Sequence, residues 1–132
     1  MAKENLNVVK LINIKRVSLG MAKRNYIEDD LQINIVGFTR RYVKNAEIIC
    51  IPNGGYRREA EAARLKKMGV LAGASDLVLM LPEGKVLWVE LKTKTGTQDP
   101  NQIRFQETCE KLGHKYVLIR SLEEYISLLK TL

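Results

Sequence analysis

Apolar positions along the chain alternate between helical and strand periods. Ile27, Leu31, Ile35 and Phe38 recur at three- and four-residue spacing, with Val36 and Tyr42 beside them; this predicts an amphipathic helix over about 27–44. Glu28, Asp29 and Asp30 crowd its first turn and Arg40, Arg41 and Lys44 its last, as the helix dipole favours. Residues 47–51 predict a strand that ends at the loop Pro52-Asn53-Gly54-Gly55. Ala60, Ala62, Ala63, Leu65 and Met68 mark a second helix over 56–68, with Gly69 at its C-terminal cap. Two short runs follow, Leu77 to Leu81 and Val86 to Leu91, rich in Val, Leu and Trp and bounded by Pro and Gly, which reads as a hairpin. Asp99 followed by Pro100 opens a third helix carrying Ile103, Phe105, Cys109 and Leu112, closed by Gly113. Lys115 to Ile119 predicts a fourth strand, and Ser121-Leu122-Glu123-Glu124 a capping box that starts the last helix. The order α-β-α-β-β-α-β-α predicts an α/β domain: a small central four-stranded mixed sheet with helices on both faces.

The hairpin decides where its charges lie. Leu81-Pro82-Glu83-Gly84 suits a type I turn, with Pro second and Gly fourth, and a left-handed Gly gives a three-residue hairpin with a bulge. In that register Leu81 faces Lys85, and Asp76 falls opposite Glu90. Side chains alternate along a strand, so Glu90 and Lys92 share a face. A two-residue turn would slip the register by one and send Asp76 to the other face. Both runs are apolar on both sides, so cover from protein is expected above and below.

With 132 residues the chain makes one compact domain. Residues 1–25 read as a basic N-terminal arm and 26–132 as the domain proper; the arm joins Val8, Val9, Leu11, Ile12 and Ile14 to Lys3, Lys10, Lys15, Arg16, Lys23 and Arg24. Cys50 and Cys109 lie in apolar surroundings without metal-like spacing, and free thiols in a reducing cytosol are expected. No apolar run is long enough to span a membrane, and Lys10, Lys15 and Arg16 break the pattern of a signal peptide. The expected location is cytoplasmic. A net charge of +7 favours a polyanion such as nucleic acid, or reflects a merely basic surface.

Asp76, Glu90 and Lys92 interrupt otherwise apolar strands, which is costly unless they are paired or bind a metal. Two adjacent carboxylates repel unless a proton or a cation lies between them. With hard oxygen donors the fitting cation is Mg²⁺ or Mn²⁺, which keeps waters and accepts phosphate oxygens. Acid, acid and lysine around such an ion suit phosphodiester hydrolysis; a buried Glu–Lys or Asp–Lys ion pair accounts for the same residues. His114, the single histidine, is distant in sequence from the acids and builds no nucleophilic triad.

Asp76, then Glu90-Leu91-Lys92 after thirteen intervening residues, resembles the PD-(D/E)xK nuclease superfamily. The wider string resembles its VRR-NUC (virus-type replication-repair nuclease) family over roughly 27–130. That string comprises Ile51-Pro52-Asn53-Gly54-Gly55, Leu65-Lys66 with Gly69-Val70, Gly73-Ala74-Ser75-Asp76, Val89-Glu90-Leu91-Lys92, Gly96 and Gln102. The resemblance implies a restriction-endonuclease-like core and a divalent-metal-dependent endodeoxyribonuclease. Asp76, Glu90 and the Leu91 carbonyl would ligate Mg²⁺ or Mn²⁺. Lys92 would serve the attacking water or the transition state, and Gln102 would arrange the site. The family's acid on the first helix best matches Glu28, acting on the metal directly or through water, with Asp29 and Asp30 as neighbouring alternatives. Ser75 stands where a proline usually precedes the aspartate. Stand-alone proteins of this kind resemble phage-encoded homodimeric enzymes of branched DNA, including Holliday junctions, with no small-molecule cofactor and no membrane partner. Asn53, Gly54, Gly55, Arg57, Arg58, Arg64, Lys66 and Lys94 are the candidate DNA contacts. The competing expectation is a non-catalytic basic module that binds branched DNA.

Overall fold

The computed structural model describes residues 27–52 and 57–132. The basic arm and the loop residues Asn53, Gly54 and Gly55 therefore lie outside the described residues. The elements run α1 (Ile27–Tyr42), β1 (Glu47–Cys50), α2 (Glu59–Lys67), β2 (Leu77–Met80), β3 (Val86–Leu91), α3 (Pro100–Lys111), β4 (Lys115–Ile119) and α4 (Leu122–Leu129). All eight expected elements form in the expected order; β3 and β4 have the expected ends, and the other ends are displaced by at most three residues. No helix among the described residues is long and apolar enough to cross a membrane.

The sheet order is β1-β2-β3-β4. The first two pairings are antiparallel and β3–β4 is parallel. Strand alternation sorts the side chains into two layers. Ile48, Leu77, Leu79, Leu87, Val89, Leu91 and Ile119 point to one face and pack with Ile35 and Val43 of α1 and its C-terminal flank, and with Tyr125 and Leu129 of α4. Within this layer the buried Thr39 and Tyr125 hydroxyls hydrogen-bond each other at 2.7 Å, tying α1 to α4. The other face carries Trp88, Glu90 and Tyr116. Helix α3 covers it through Phe105, whose ring meets Trp88 at 5.5 Å and Tyr116 at 6.1 Å between centroids.

Three local expectations are corrected. The turn is not type I: Glu83 itself has φ 66°, alongside Gly84 at φ 73°. The register survives because Leu81 N–H still donates to the Lys85 carbonyl at 2.8 Å. The hairpin is not covered on both sides throughout, since Met80 stays 47% exposed where no helix overlies the end of β2. Cys50 is exposed on the sheet edge, where its sulfur accepts from Gln32 Nε2 at 3.1 Å, whereas Cys109 is buried; both are free thiols.

Candidate active site

Four segments meet at one end of the sheet. The β2–β3 ladder pairs Leu77 with Val89 and Val78 with Trp88, so the next step places Asp76 opposite Glu90. This is the register expected from the turn. Asp76 precedes β2, and its Oδ2 accepts the Leu91 N–H at 2.7 Å. That bond fixes the carboxylate over β3 and leaves its other oxygen to the site. Ser75, buried just before it, donates to the Leu77 carbonyl at 3.2 Å. Ser75 thus ties down the segment just ahead of β2.

Glu90 is 1% exposed. Its Oε1 accepts from Gln102 Nε2 at 2.8 Å and its Oε2 from the Tyr116 hydroxyl at 3.4 Å. It also shares a hydrogen bond with Asp76. Burial first, then the negative charge of Asp76 and that shared hydrogen bond, raise the Glu90 pKa from 4.5 to about 8. The Lys92 ammonium and the Tyr116 hydroxyl oppose the rise. Lys92 therefore lies close enough to act on Glu90 electrostatically, on the face that alternation assigns it. Tyr116 is held protonated well above the ordinary range by its own burial and by the charge of Glu90.

Two helices frame this pair. Asp99 caps α3 by accepting from Asn101 N and Gln102 N at 2.8 and 3.0 Å, and Gln102 Oε1 returns the bond to Asp99 N at 2.9 Å. The capping box of α3 thereby aims the Gln102 amide at Glu90. On the opposite side, Glu28 of α1 accepts from Thr93 N–H at 3.3 Å, directly after Lys92. Glu28 thus reaches the segment that carries Lys92. Among the described residues, however, no group of three His, Cys, Asp or Glu side chains is arranged to hold a metal ion.

The donor set fits a hard divalent cation. A buried carboxyl whose ionisation is opposed chiefly by lost solvation and a neighbouring carboxylate is relieved by positive charge between the two. Asp76 and Glu90 supply one or two anionic oxygens, the number Mg²⁺ usually takes from protein. The basic residues are distributed differently. Arg58, Arg64, Lys66 and Lys94 are exposed and Arg57 half-buried; Arg58 is the N-cap of α2, and Arg64 and Lys66 lie in its last turn.

Several site residues escaped the sequence reading. Tyr116 becomes visible only once β4 is known to lie parallel to β3, pairing Trp88 with Tyr116 and so placing that hydroxyl on the face of Glu90. Gln98 holds Tyr116, donating to its hydroxyl at 3.1 Å. Arg120 donates to the carbonyls of Thr93 and Gly96, both at 2.7 Å, and so clamps the loop after Lys92. Nothing local in the sequence marks Arg120. Gly73 has φ 87°, and a Cβ there would lie 2.3 Å from the Asn101 carbonyl carbon. Only glycine lets the loop before Asp76 abut the first turn of α3.

A family model of the VRR-NUC domain matches residues 28–122, most of the chain and all of the site just described. The chain belongs to the VRR-NUC domain family. A solved structure described as a VRR_NUC domain protein shares the fold with a TM-score of 0.65 at 24% identity, covering 82% of this chain and 88% of the other. A second, described as a VRR_NUC domain, gives 0.53 at 23% identity, covering 78% and 92%. No curated protein matches the sequence. The VRR-NUC match is to a family of nuclease type, and DNA is the substrate that a nuclease domain of this kind implies.

Proposed function

We propose that this VRR-NUC protein is a divalent-metal-dependent endodeoxyribonuclease that hydrolyses phosphodiester bonds at Asp76, Glu90 and Lys92. The observation that carries the reading is the buried Glu90 beside Asp76, a carboxylate pair that needs a proton or a cation, with Lys92 on the same face. Mg²⁺ or Mn²⁺ would be held by these two carboxylates and the Leu91 carbonyl, and when bound would supply charge to a phosphoryl oxygen and acidity to a coordinated water.

The chain's own residues do the rest. Asp76 is locked by the Leu91 amide, so its free oxygen is presented without reorganisation. Gln102 and Tyr116 each donate to one Glu90 oxygen, fixing its plane and leaving its remaining lone pairs toward Asp76. The Lys92 ammonium stands where charge develops on the phosphate, or orients the attacking water. Glu28, on the opposite wall, acts by aligning the Thr93 amide beside Lys92 or by accepting a proton from ordered water. Arg57, Arg58, Arg64, Lys66 and Lys94 would contact the DNA backbone, a mode that confers affinity without base readout. We also propose branched DNA as the preferred substrate and a homodimer as the acting form, because symmetric incision of a junction needs two sites related by a two-fold axis.

The test is cleavage of labelled duplex, flap and four-way-junction DNA, and of matched RNA, with Mg²⁺, Mn²⁺ or EDTA. Cutting of DNA with either metal and none in EDTA is expected, fastest on the branched forms. Binding without cutting under every metal condition would leave the DNA-binding module as the correct reading.

A further inference from the structure

A second surface adjoins the carboxylate pair. A groove of about 720 Å³ lies between α2 with its C-terminal flank and the side of α3 that carries Asn101, Arg104, Phe105 and Thr108, within the size range of ligand sites. Arg57, Lys66 and Arg104 line it together with Phe105, Val70 and Leu71, and no acidic residue does. Among the described residues the sole salt bridge is Lys85 to Glu83, at 3.8 Å, so none of the three groove cations faces a carboxylate at ion-pair distance. Arg104 donates to the side chain of Asn101, which also lines the groove. Phe105 is fixed by its contacts with Trp88 and Tyr116, so it is a preset apolar surface. Val70 and Leu71 remain exposed opposite it.

Cations with no carboxylate at ion-pair distance among the described residues, beside a rigid aromatic and exposed aliphatic groups, match a phosphate backbone whose bases are free to leave the stack. A duplex offers the cations its phosphates but keeps its base faces covered, so it leaves the apolar lining unused. The groove also leads to the reactive end. Asn101 lines it, the next residue Gln102 holds Glu90, and Gly73 packs on Asn101 three residues before Asp76. We infer that this groove binds unpaired nucleotides of a DNA strand next to the scissile phosphate, with Arg57, Lys66 and Arg104 on the backbone and Phe105, Val70 and Leu71 against the bases. The inference rests on DNA being the substrate, as proposed above, and it makes the substrate class DNA with a single-stranded segment at the cut.

Affinity measured in EDTA separates binding from cleavage. The probes are a fluorescent oligothymidylate, an abasic strand of equal length and a hairpin duplex. The abasic strand should bind about tenfold more weakly than oligothymidylate, the loss of one good base contact. The Lys66→Ala/Arg104→Ala protein should lower the salt slope for oligothymidylate by about 1.4, near 0.7 for each lost phosphate contact. Both positions are exposed, and circular dichroism checks that the variant folds. Equal binding of abasic strand and oligothymidylate, or an unchanged slope in the double variant, would overturn the inference. Because no metal is present, that failure leaves the nuclease reading standing. Strand binding as expected, but no cleavage once Mg²⁺ or Mn²⁺ is added, would sink the nuclease reading and leave the groove.

Discussion

Replacing Glu90 by Gln isolates what the buried carboxyl contributes to the fold and to the site. The folded-state pKa of Glu90 is raised from 4.5 to about 8, first by burial and then by Asp76. Between those values the folded protein holds a proton that the unfolded chain has released. Stability therefore falls as pH rises, by about 1.4 kcal/mol per pH unit for this group, and levels off above pH 8. The stabilisation is fully present below pH 4.5 and lost through the folded pKa. Over the full interval the loss is on the order of 4–5 kcal/mol, a large share of a small domain's total stability. Glu90→Gln keeps an acceptor for Gln102 and an N–H donor for Asp76, but it cannot ionise. Urea unfolding in EDTA at half-unit steps from pH 5.5 to 9, for wild type and variant, reads the difference directly. Contributions of titrating groups that do not touch Glu90 cancel in that difference, which therefore reports the Asp76–Glu90 pair as a unit. The variant's stability relative to wild type should rise progressively from pH 5.5 to about pH 8 and level off above it. Parallel profiles across the range would refute the buried, proton-sharing carboxylate pair. Asp76→Asn, which removes the second cause, should bring the levelling-off to a lower pH while leaving a fall that burial alone still causes.

Other consequences follow from the same geometry. Added Mg²⁺ or Mn²⁺ should raise the melting temperature of wild type more at pH 8.5 than at pH 6, with proton release seen by calorimetry in buffers of different ionisation enthalpy, because cation and proton compete for the pair; no stabilisation at either pH would contradict the metal assignment. Gly73→Ala should cost about 2–4 kcal/mol, from the left-handed backbone and overlap with the Asn101 carbonyl, and urea unfolding measures it. Arg120→Ala should lower kcat more than it raises KM, since it frees the loop that places Lys92 while Arg57, Arg58, Arg64 and Lys66, which lie outside that loop, keep their backbone contacts; partial rescue by added guanidinium would separate positioning from general destabilisation. Tyr125→Phe should cost about 0.5–1.5 kcal/mol by removing the buried Thr39–Tyr125 hydrogen bond, the Thr39 hydroxyl keeping its bond to the Ile35 carbonyl, measured in the same unfolding assay.

The hairpin and its register could be read from sequence because both are local. Pro82, Glu83 and Gly84 set the loop length, and apolar runs of matching length sit on either side. The turn type was misjudged because a left-handed Glu83 has no sequence signal, yet the same residues remained paired. Gln102 was legible through the resemblance to the family, whereas Asp99 and Pro100 announced only the helix start that positions it. Tyr116 and Arg120 were not, since their roles depend on β4 lying parallel beside β3, a pairing made across about thirty residues of chain. Glu28 was legible as an acid on the first helix, but its contact with Thr93 spans 65 residues and follows from packing alone. The basic residues of α2 were visible as a cluster. Their convergence with Arg104 and Phe105 required the placement of two helices that share no sequence pattern.

The central claim is that Lys92 acts in chemistry beside the Asp76–Glu90 pair rather than serving as its structural counter-ion. Single-turnover cleavage of a labelled DNA junction by wild type and Lys92→Ala, with Mg²⁺ and with binding measured in parallel, addresses it most directly. Affinity for the junction should be nearly unchanged, while the cleavage rate falls on the order of 100-fold or more, as when a group stabilising the transition state is lost. Equal cleavage rates for the two proteins would contradict the account.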